Sequence, residues 1–307
     1  MSRTNFDSLL EAGVHFGHLR RKWNPAMAPY IFMERNGIHI IDLYKTIAKI
    51  DEAAAALKQI AKSGKRILFV ATKKQAKEIV AEQVKRVNMP YVTERWPGGM
   101  LTNFATIRKA VRKMVSIDKL MTSPSYNNLS KKERLTITRE RAKLEKNLGS
   151  IADLNRLPAA IFIVDILKEH IALAEAKKLN IPTFAIVDTN SDPRKVDFPV
   201  PANDDASKSI SIIVETLVNA IEEGLVERKL DRDKKAAEDE RGETEEDFED
   251  RMRDDEIEEK VAGIKLAIKD HPDAKLGKMK TGTEGGVPEE KKTLRKRINK
   301  PVGRTKK

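Results

Sequence analysis

Short continuous runs of β-branched and aromatic residues alternate with helical patterns over the first 225 residues, and this alternation constrains the fold most. The runs are Ile67–Ala71, Ala159–Val164 and Thr183–Val187, with a weaker one at Met89–Val92. Continuous apolar runs of this length are typical of strands buried on both faces, which occur in parallel sheets covered by helices. The repeated order of strand, helix and strand predicts a right-handed, doubly wound α/β domain.

Amphipathic patterns with clear ends separate these runs. We predict helices over Thr46–Lys62, Lys73–Val87 and His170–Leu179. A glycine follows the first helix, and an asparagine and then a proline follow each of the others, which are signals that end helices. A last helix is predicted over Ser207–Glu223 and is expected to end at Gly224. Near the amino end, an Asn-Gly pair predicts the turn of a hairpin between Tyr30–Met33 and Ile38–Ile41.

One stretch breaks the alternation. Its apolar residues recur at steps of three and four, at Ile107, Ala110, Met114, Ile117 and Met121. After a turn, Ser130 and Glu133 form a capping-box pattern that starts a second helix with an apolar side of its own. The two stripes predict an antiparallel coiled-coil hairpin over residues 106–151 that projects from the domain. Two helices that simply cover the sheet are the alternative.

Composition divides the chain into a body and a tail. We predict an α/β body formed by residues 1–105 and 152–225, and a charged extension over residues 226–307. The extension begins with an acidic block, in which residues 238–259 have too few large apolar side chains to close a core. It ends with a basic block, because residues 271–307 hold 12 basic and 4 acidic side chains. We expect this extension to be partly disordered, with its basic end on RNA phosphates.

Cysteine content and net charge narrow the class of protein. The chain has no cysteine, which removes disulfide scaffolds, thiolate zinc sites and cysteine nucleophiles and fits the reducing cytoplasm, where we expect the protein to be. No stretch approaches the roughly 20 apolar residues that span a bilayer, so we expect no membrane partner. The 59 lysines and arginines outnumber the 47 acidic residues by 12, and this excess indicates nucleic acid as the partner.

The usual ligand-binding motifs of a doubly wound sheet are absent from the sequence. No two glycines are separated by a single residue, so the Gly-x-Gly-x-x-Gly turn of dinucleotide-binding proteins is missing. The phosphate loop fails as well, because Arg66 follows Gly64 and Lys65 where a serine or threonine is required. We therefore predict no enzymatic activity, no cofactor and no small-molecule substrate.

The amino-terminal region contains a tempting pair of metal ligands. His15 and His18 are three residues apart, but two imidazoles alone make a poor site. Without cysteine, further ligands would have to be carboxylates far along the chain, such as Asp188, Asp204 or Asp205. We predict no metal and assign both histidines to RNA contact or to a structural role.

Two loops, a first one at residues 19–25 and a second one at residues 94–104, combine cations with an indole and small or amide residues. This combination can hold phosphates and stack on unpaired bases. The second loop has a glycine pair that lets its backbone approach a partner closely, and Thr102 can cap the helix after it. The alternatives are a solvated face for the first loop and a sharp turn for the second. With His15 and His18, the predicted RNA-binding residues here are Arg20, Arg21, Lys22, Trp23, Asn24, Arg95, Trp96, Gly98, Gly99 and Asn103.

Further cations extend this prediction beyond the loops. They lie on the hairpin and in the basic end of the chain, where they can meet backbone phosphates. The residues that we add to the predicted RNA-binding set are Arg108, Lys109, Arg112, Lys113, Lys131, Lys132, Arg295, Lys296 and Arg297.

The segments around these loops resemble a known family. They are Leu9–His18, Trp23–Pro25, Pro29–Phe32, Arg35–Leu43, Arg95–Phe104, Ile181-Pro182 and Pro201–Ala206. In their order and amino-acid sequence, these segments closely resemble the bacterial-type family of ribosomal protein S2, the second protein of the small ribosomal subunit. The resemblance covers about residues 1–225 and leaves the charged extension outside it.

The resemblance implies a flavodoxin-like or Rossmann-like three-layer domain with an inserted coiled-coil hairpin. It implies a structural constituent of a ribonucleoprotein, bound to small-subunit ribosomal RNA on the solvent side between head and body, beside other small-subunit proteins. It also implies help in docking ribosomal protein S1, the large protein that captures mRNA for translation. An α/β enzyme with a pocket at the strand ends, and a free RNA-binding regulator with a reader module, are the alternatives.

Overall fold

The computed structural model describes residues 3–234. The acidic block at 238–259, and Arg295, Lys296 and Arg297 of the basic end, lie outside the described residues, so the expectations for them stay predictions. None of the helices within residues 3–234 has the length and apolar character needed to cross a membrane.

A small antiparallel sheet forms the amino-terminal part of the molecule. It follows a short helix, α1 (Phe6–Glu11), and consists of β1 (Phe16–Leu19), β2 (Ile31–Arg35) and β3 (Ile38–Ile41) in the order β1-β3-β2. The predicted Asn-Gly turn joins β2 and β3, and both of its residues have positive φ, Asn36 at 52° and Gly37 at 74°. Two short 3-10 helices, Arg20–Lys22 and Pro25–Tyr30, lie between β1 and β2.

The predicted parallel α/β sheet is confirmed. Its strands and helices in chain order are α2 (Leu43–Lys62), β4 (Ile67–Val70), α3 (Lys74–Arg86), β5 (Tyr91–Val92), β6 (Ala160–Val164), α6 (His170–Lys178), β7 (Thr183–Val187) and β8 (Phe198–Pro201). The spatial order is β5-β4-β6-β7-β8, with every neighbouring pair parallel. Each residue of β4, β6 and β7 is buried, as continuous apolar runs require.

Successive side chains of the strands supply two separate cores, one on each face of the sheet. Phe69, Phe162 and Phe184 pack with α2, α3 and the last helix on one face. Leu68 and Ile163 pack with α6 and the loop before the hairpin on the other. The result is three layers, helix, sheet and helix.

The hairpin between β5 and β6 consists of α4 (Phe104–Thr122), a 3-10 turn at Pro124–Asn128 and α5 (Lys131–Leu148). The Ser130 and Glu133 capping box is formed as predicted. The base of α4 packs on the second core, whereas Met114 and Ile117 are buried outside both sheet cores. Ion pairs between the helices, such as Arg141 to Asp118 at 2.7 Å, hold them together. Supercoiling of the pair stays a prediction.

The last helix corrects one prediction. Residues 207–234 are helical, so Gly224 does not end the helix. A Cβ at Gly224 would lie 2.5 Å from the backbone oxygen of Lys58, so the glycine permits close contact with α2 instead. Lys58 then pairs with Glu227 at 2.7 Å across the same contact.

Candidate nucleic-acid interface

The amino-terminal sheet closes the carboxyl edge of the main sheet. The His18 N–H donates to the hydroxyl of Thr189, just after β7, at 2.8 Å, and the Asn24 N–H donates to the Thr189 carbonyl at the same distance. A Cβ at Gly17 would lie 2.5 Å from the Thr189 side chain. Strand β1 therefore lies directly on the edge where doubly wound sheets bind their ligands.

A lysine and three carboxylates fill the space at this edge. The Lys73 ammonium, just after β4, lies 2.8 Å from Asp204, 2.6 Å from Asp205 and 3.4 Å from Asp165. Burial opposes the charge of Lys73, but the bonds to Asp204 and Asp205 outweigh it and raise the pKa of the lysine. Asp204 binds Lys73, and the side chain of Asn203 accepts the N–H groups of Asp205 and Ala206 just before the last helix.

His18 joins the same cluster from the amino-terminal sheet. Its Nδ1 lies 3.0 Å from Asp188, a carboxylate that is 1% exposed, and its Nε2 lies 3.5 Å from Asp205. The hydrogen bond with Asp188 raises the pKa of His18. Burial, together with the charges of Asp188 and Asp165, raises the pKa of Asp204 to about 7.

The two histidines have different surroundings. His18 lies with Asp188 and Asp204, whose ligand atoms are all within 4.8 Å of one another, and this group of described residues does not include His15. One imidazole with carboxylates is a donor set that suits a divalent cation. The buried Oδ2 of Asp204 has no hydrogen-bond partner among the described residues. Lys73 supplies positive charge to this cluster, 2.8 Å from Asp204, and the absence of a metal stays a prediction.

His15 lies elsewhere, half-buried against the ring of Phe16 with ring centroids 4.0 Å apart. Burial lowers the pKa of this histidine. A neutral imidazole contributes nothing to phosphate binding through charge, so His15 is a weaker RNA candidate than the cations that follow it.

Electrostatics at the carboxyl edge are unfavourable for a phosphate ligand. Glu169 is buried beside Asp165 and accepts a hydrogen bond from Thr72, and burial raises its pKa. Five carboxylates thus surround an edge that is also covered by β1. They are Asp165, Glu169, Asp188, Asp204 and Asp205. This arrangement agrees with the absence of the glycine-rich phosphate motifs from the sequence.

The first loop presents its cations to solvent. Arg20, Arg21 and Lys22 are all exposed; among the described residues Arg20 pairs with Glu34 at 3.3 Å, and the charge of Lys22 helps to lower the pKa of Asp205. Trp23 is half-buried and packs on the ring of His39 at 5.0 Å. The side chain of Asn24 accepts the Ala26 N–H at 2.9 Å, so it shapes the loop.

The second loop is hydrogen-bonded to a carboxylate that the sequence analysis did not single out. Glu175 of α6 accepts hydrogen bonds from the indole of Trp96 and from the backbone of Gly99, Leu101 and Thr102. Trp96 is 7% exposed, so its ring packs in the core and offers no stacking surface to a base. The predicted Thr102 cap is wrong, since its hydroxyl donates to Glu175.

The exposed members of this loop are Arg95, Gly98, Thr102 and Asn103. Beyond it, α4 carries further cations beside residues 155–157. Arg108 donates to the carbonyl of Asn155, while Lys109, Arg112 and Arg156 are exposed and have no carboxylate partner within residues 3–234.

Cations farther out on the hairpin are arranged differently. Lys113 forms an ion pair with Glu140 across the two helices. Lys131 and Lys132 are exposed in the first turn of α5, at the end of the hairpin away from the sheet.

An apolar groove was not anticipated from the sequence. Phe32 and Tyr44 are 71% and 74% exposed, and the ring of Tyr44 stacks on Phe6 at 5.0 Å. The other apolar residues along the groove include Leu10, Phe16 and Met33. Exposed apolar surface of this kind is typical of protein-binding sites.

The chain is similar to known proteins over a region that includes both loops and the hairpin. Residues 9–224 match the family described as ribosomal protein S2. A protein named small ribosomal subunit protein uS2 from Phocaeicola vulgatus is 72% identical over 232 residues, 76% of this chain and 83% of the relative. Proteins of that name from Parabacteroides distasonis and Flavobacterium johnsoniae are 66% and 70% identical, over 78% and 75% of this chain and 86% and 91% of the relatives.

Proposed function

The chain belongs to the ribosomal protein S2 family of structural constituents of the small ribosomal subunit, and on that premise we propose how its surface is used. The two loops and the base of α4 bind small-subunit ribosomal RNA, mainly at backbone phosphates, on the solvent side between head and body. The family is not one of enzymes, which agrees with the closed carboxyl edge of the sheet within residues 3–234. Residence in the cytoplasm stays a prediction.

The observation that carries the proposal is a set of exposed cations without carboxylate partners. Arg21, Arg95, Lys109 and Arg112 form no ion pair within the described chain, whereas the charge of Lys22 already acts on Asp205. A cation that is not neutralised internally can release counterions from RNA when it binds a phosphate. The loops offer few groups for reading base edges, which favours contact with the backbone.

The apolar groove supports the second part of the proposal, which is that the protein helps to dock ribosomal protein S1. RNA backbones are charged, so a surface with Phe32 and Tyr44 largely exposed matches a protein partner better than RNA. Aromatic residues are enriched in the core of protein interfaces. The groove therefore serves a protein neighbour while the cations serve RNA.

The test is cosedimentation with small subunits that lack this protein, at increasing salt. Changing Arg20, Arg21 and Lys22 to alanine should weaken association and lower the dependence of log affinity on log salt by about 0.7 to 0.9 for each phosphate that the variant no longer binds. A control with Lys85, Lys177 and Lys178 changed to alanine removes the same charge from exposed sites elsewhere. Equal effects of the two triple variants would reject specific phosphate binding by the loop.

The same pellets report on S1. Phe32→Ser should lower the amount of S1 that sediments while leaving the association of the protein itself unchanged. Normal S1 recovery with this variant would remove the groove from the proposal.

A further inference from the structure

Glu175 combines deep burial with an unusual number of donors. The residue is 8% exposed, and its carboxylate accepts five hydrogen bonds, all from the loop that precedes α4. The Gly99 N–H lies 2.7 Å from it, the Leu101 N–H 2.9 Å and the Thr102 N–H 3.1 Å. The indole of Trp96 and the hydroxyl of Thr102 complete the set, each at 3.2 Å.

These bonds fix the loop in one conformation. Burial alone would raise the pKa of Glu175, but the backbone N–H groups of Thr102, Leu101 and Gly99 lower it, so the group is a carboxylate at neutral pH. A buried carboxylate that loses its donors is costly. The loop therefore cannot move away from α6 without leaving that charge unpaired.

The locked loop exposes one residue whose identity the fold does not explain. Gly98 is exposed, its φ lies outside the positive range, and a Cβ there would meet nothing within 4 Å. Its N–H donates to none of the described residues. Gly99 differs, since its φ of +83° requires glycine for the turn itself.

We propose that Glu175 is a positioning residue of the RNA interface, which holds the loop so that the backbone of Gly98 meets the sugar–phosphate backbone of RNA. This inference rests on the proposed function and deepens it. The bare apex admits a close neighbour, the free N–H is a donor for a phosphate oxygen, and Arg95 adds positive charge at the start of the loop. Glu175 acts through the loop and touches no RNA.

The test is a double-mutant cycle on binding to small subunits that lack this protein. Gly98→Ala should leave the thermal midpoint unchanged and weaken binding about tenfold, because a methyl group blocks the approach. Glu175→Gln should also weaken binding, because an amide cannot accept all five bonds. The double variant should bind no more weakly than Glu175→Gln alone, because the loop is already misplaced.

Arg21→Ala in the first loop is the matched control, and its effect should multiply with that of Glu175→Gln. If the effects of Gly98→Ala and Glu175→Gln multiply in the same way, or if either variant binds normally, the inference is wrong. Should Glu175→Gln fail to fold, Glu175→Asp keeps the charge, withdraws it from the donors and enters the same cycle. Normal binding by Arg21→Ala together with weak salt dependence would instead count against the proposed function.

Discussion

Two regions of the molecule use positive charge in opposite ways. At the carboxyl edge of the sheet, the ammonium of Lys73 faces Asp165, Asp204 and Asp205 and is largely buried. At the base of α4, Lys109 and Arg112 are exposed and have no carboxylate partner within the described chain. The first arrangement joins parts of the protein to one another, and the second leaves charge available for an external anion.

The contrast shows why the fold alone does not indicate the function. Doubly wound sheets commonly bind ligands at the carboxyl edge, yet here β1 and a carboxylate-rich cluster occupy it. The proposed binding surface lies instead on loops and on a helical insertion. On this proposal, the binding surface lies on segments added around the fold and not at the usual site of the fold.

We call the cluster around Lys73 at the carboxyl edge the sealed region, and the base of α4 with Lys109 and Arg112 the open region. Removing the cation from the sealed region should have the largest effect on stability. Lys73→Met leaves buried Asp204 without its partner, and breaking such a pair costs about 3–5 kcal/mol of unfolding free energy. Because the pKa of Asp204 is already raised to about 7, protonation should relieve part of this cost at pH 5. Urea denaturation at pH 8 and pH 5 measures both quantities.

Lys109→Met is the counterpart in the open region and should change the unfolding free energy by no more than about 0.5 kcal/mol at either pH. Similar losses for the two lysines, or a loss for Lys73→Met that does not depend on pH, would contradict the assigned contrast.

Removing cations from the open region should act on binding instead. Changing Lys109 and Arg112 to alanine should lower the slope of log affinity against log salt by about 1.5, because two phosphates are no longer bound, with unchanged stability. A salt series of RNA binding measures the slope. The pair Lys85 and Lys177, exposed away from α4, is the control, and an equal change there would make the effect one of net charge alone.

A smaller effect is expected when the negative charge of the sealed region is removed. The folded pKa of Asp204, about 7, lies above the ordinary aspartate value of about 3.9, so the unfolding free energy falls as pH rises between these values. Asp204→Asn should therefore stabilise the protein by about 1 kcal/mol at pH 8 and by little at pH 5. Denaturation with a chelator present throughout measures this difference. Destabilisation by the variant at pH 8 would mean that the ion pair with Lys73 outweighs burial.

Local patterns predicted most of the framework. The strands at β4, β6 and β7 were readable because apolar runs reflect burial on both faces, and Ser130 with Glu133 marked the start of α5 because a capping box needs only neighbouring residues. Strand β8 was missed since Pro199 and Pro201 disfavour strands, yet β8 is at an edge, where prolines are tolerated.

The sites depended on contacts that no local pattern contains. The sequence by itself determined the parallel sheet, the helical insertion and the cations that lie on the loops and on α4, because each follows from residues close together in the chain. Only the tertiary structure brought Glu175 under the Gly98 loop and His18 to Asp188, pairs separated by long stretches of chain. These contacts depend on the order of the strands in space, which the periodicity of the sequence does not indicate.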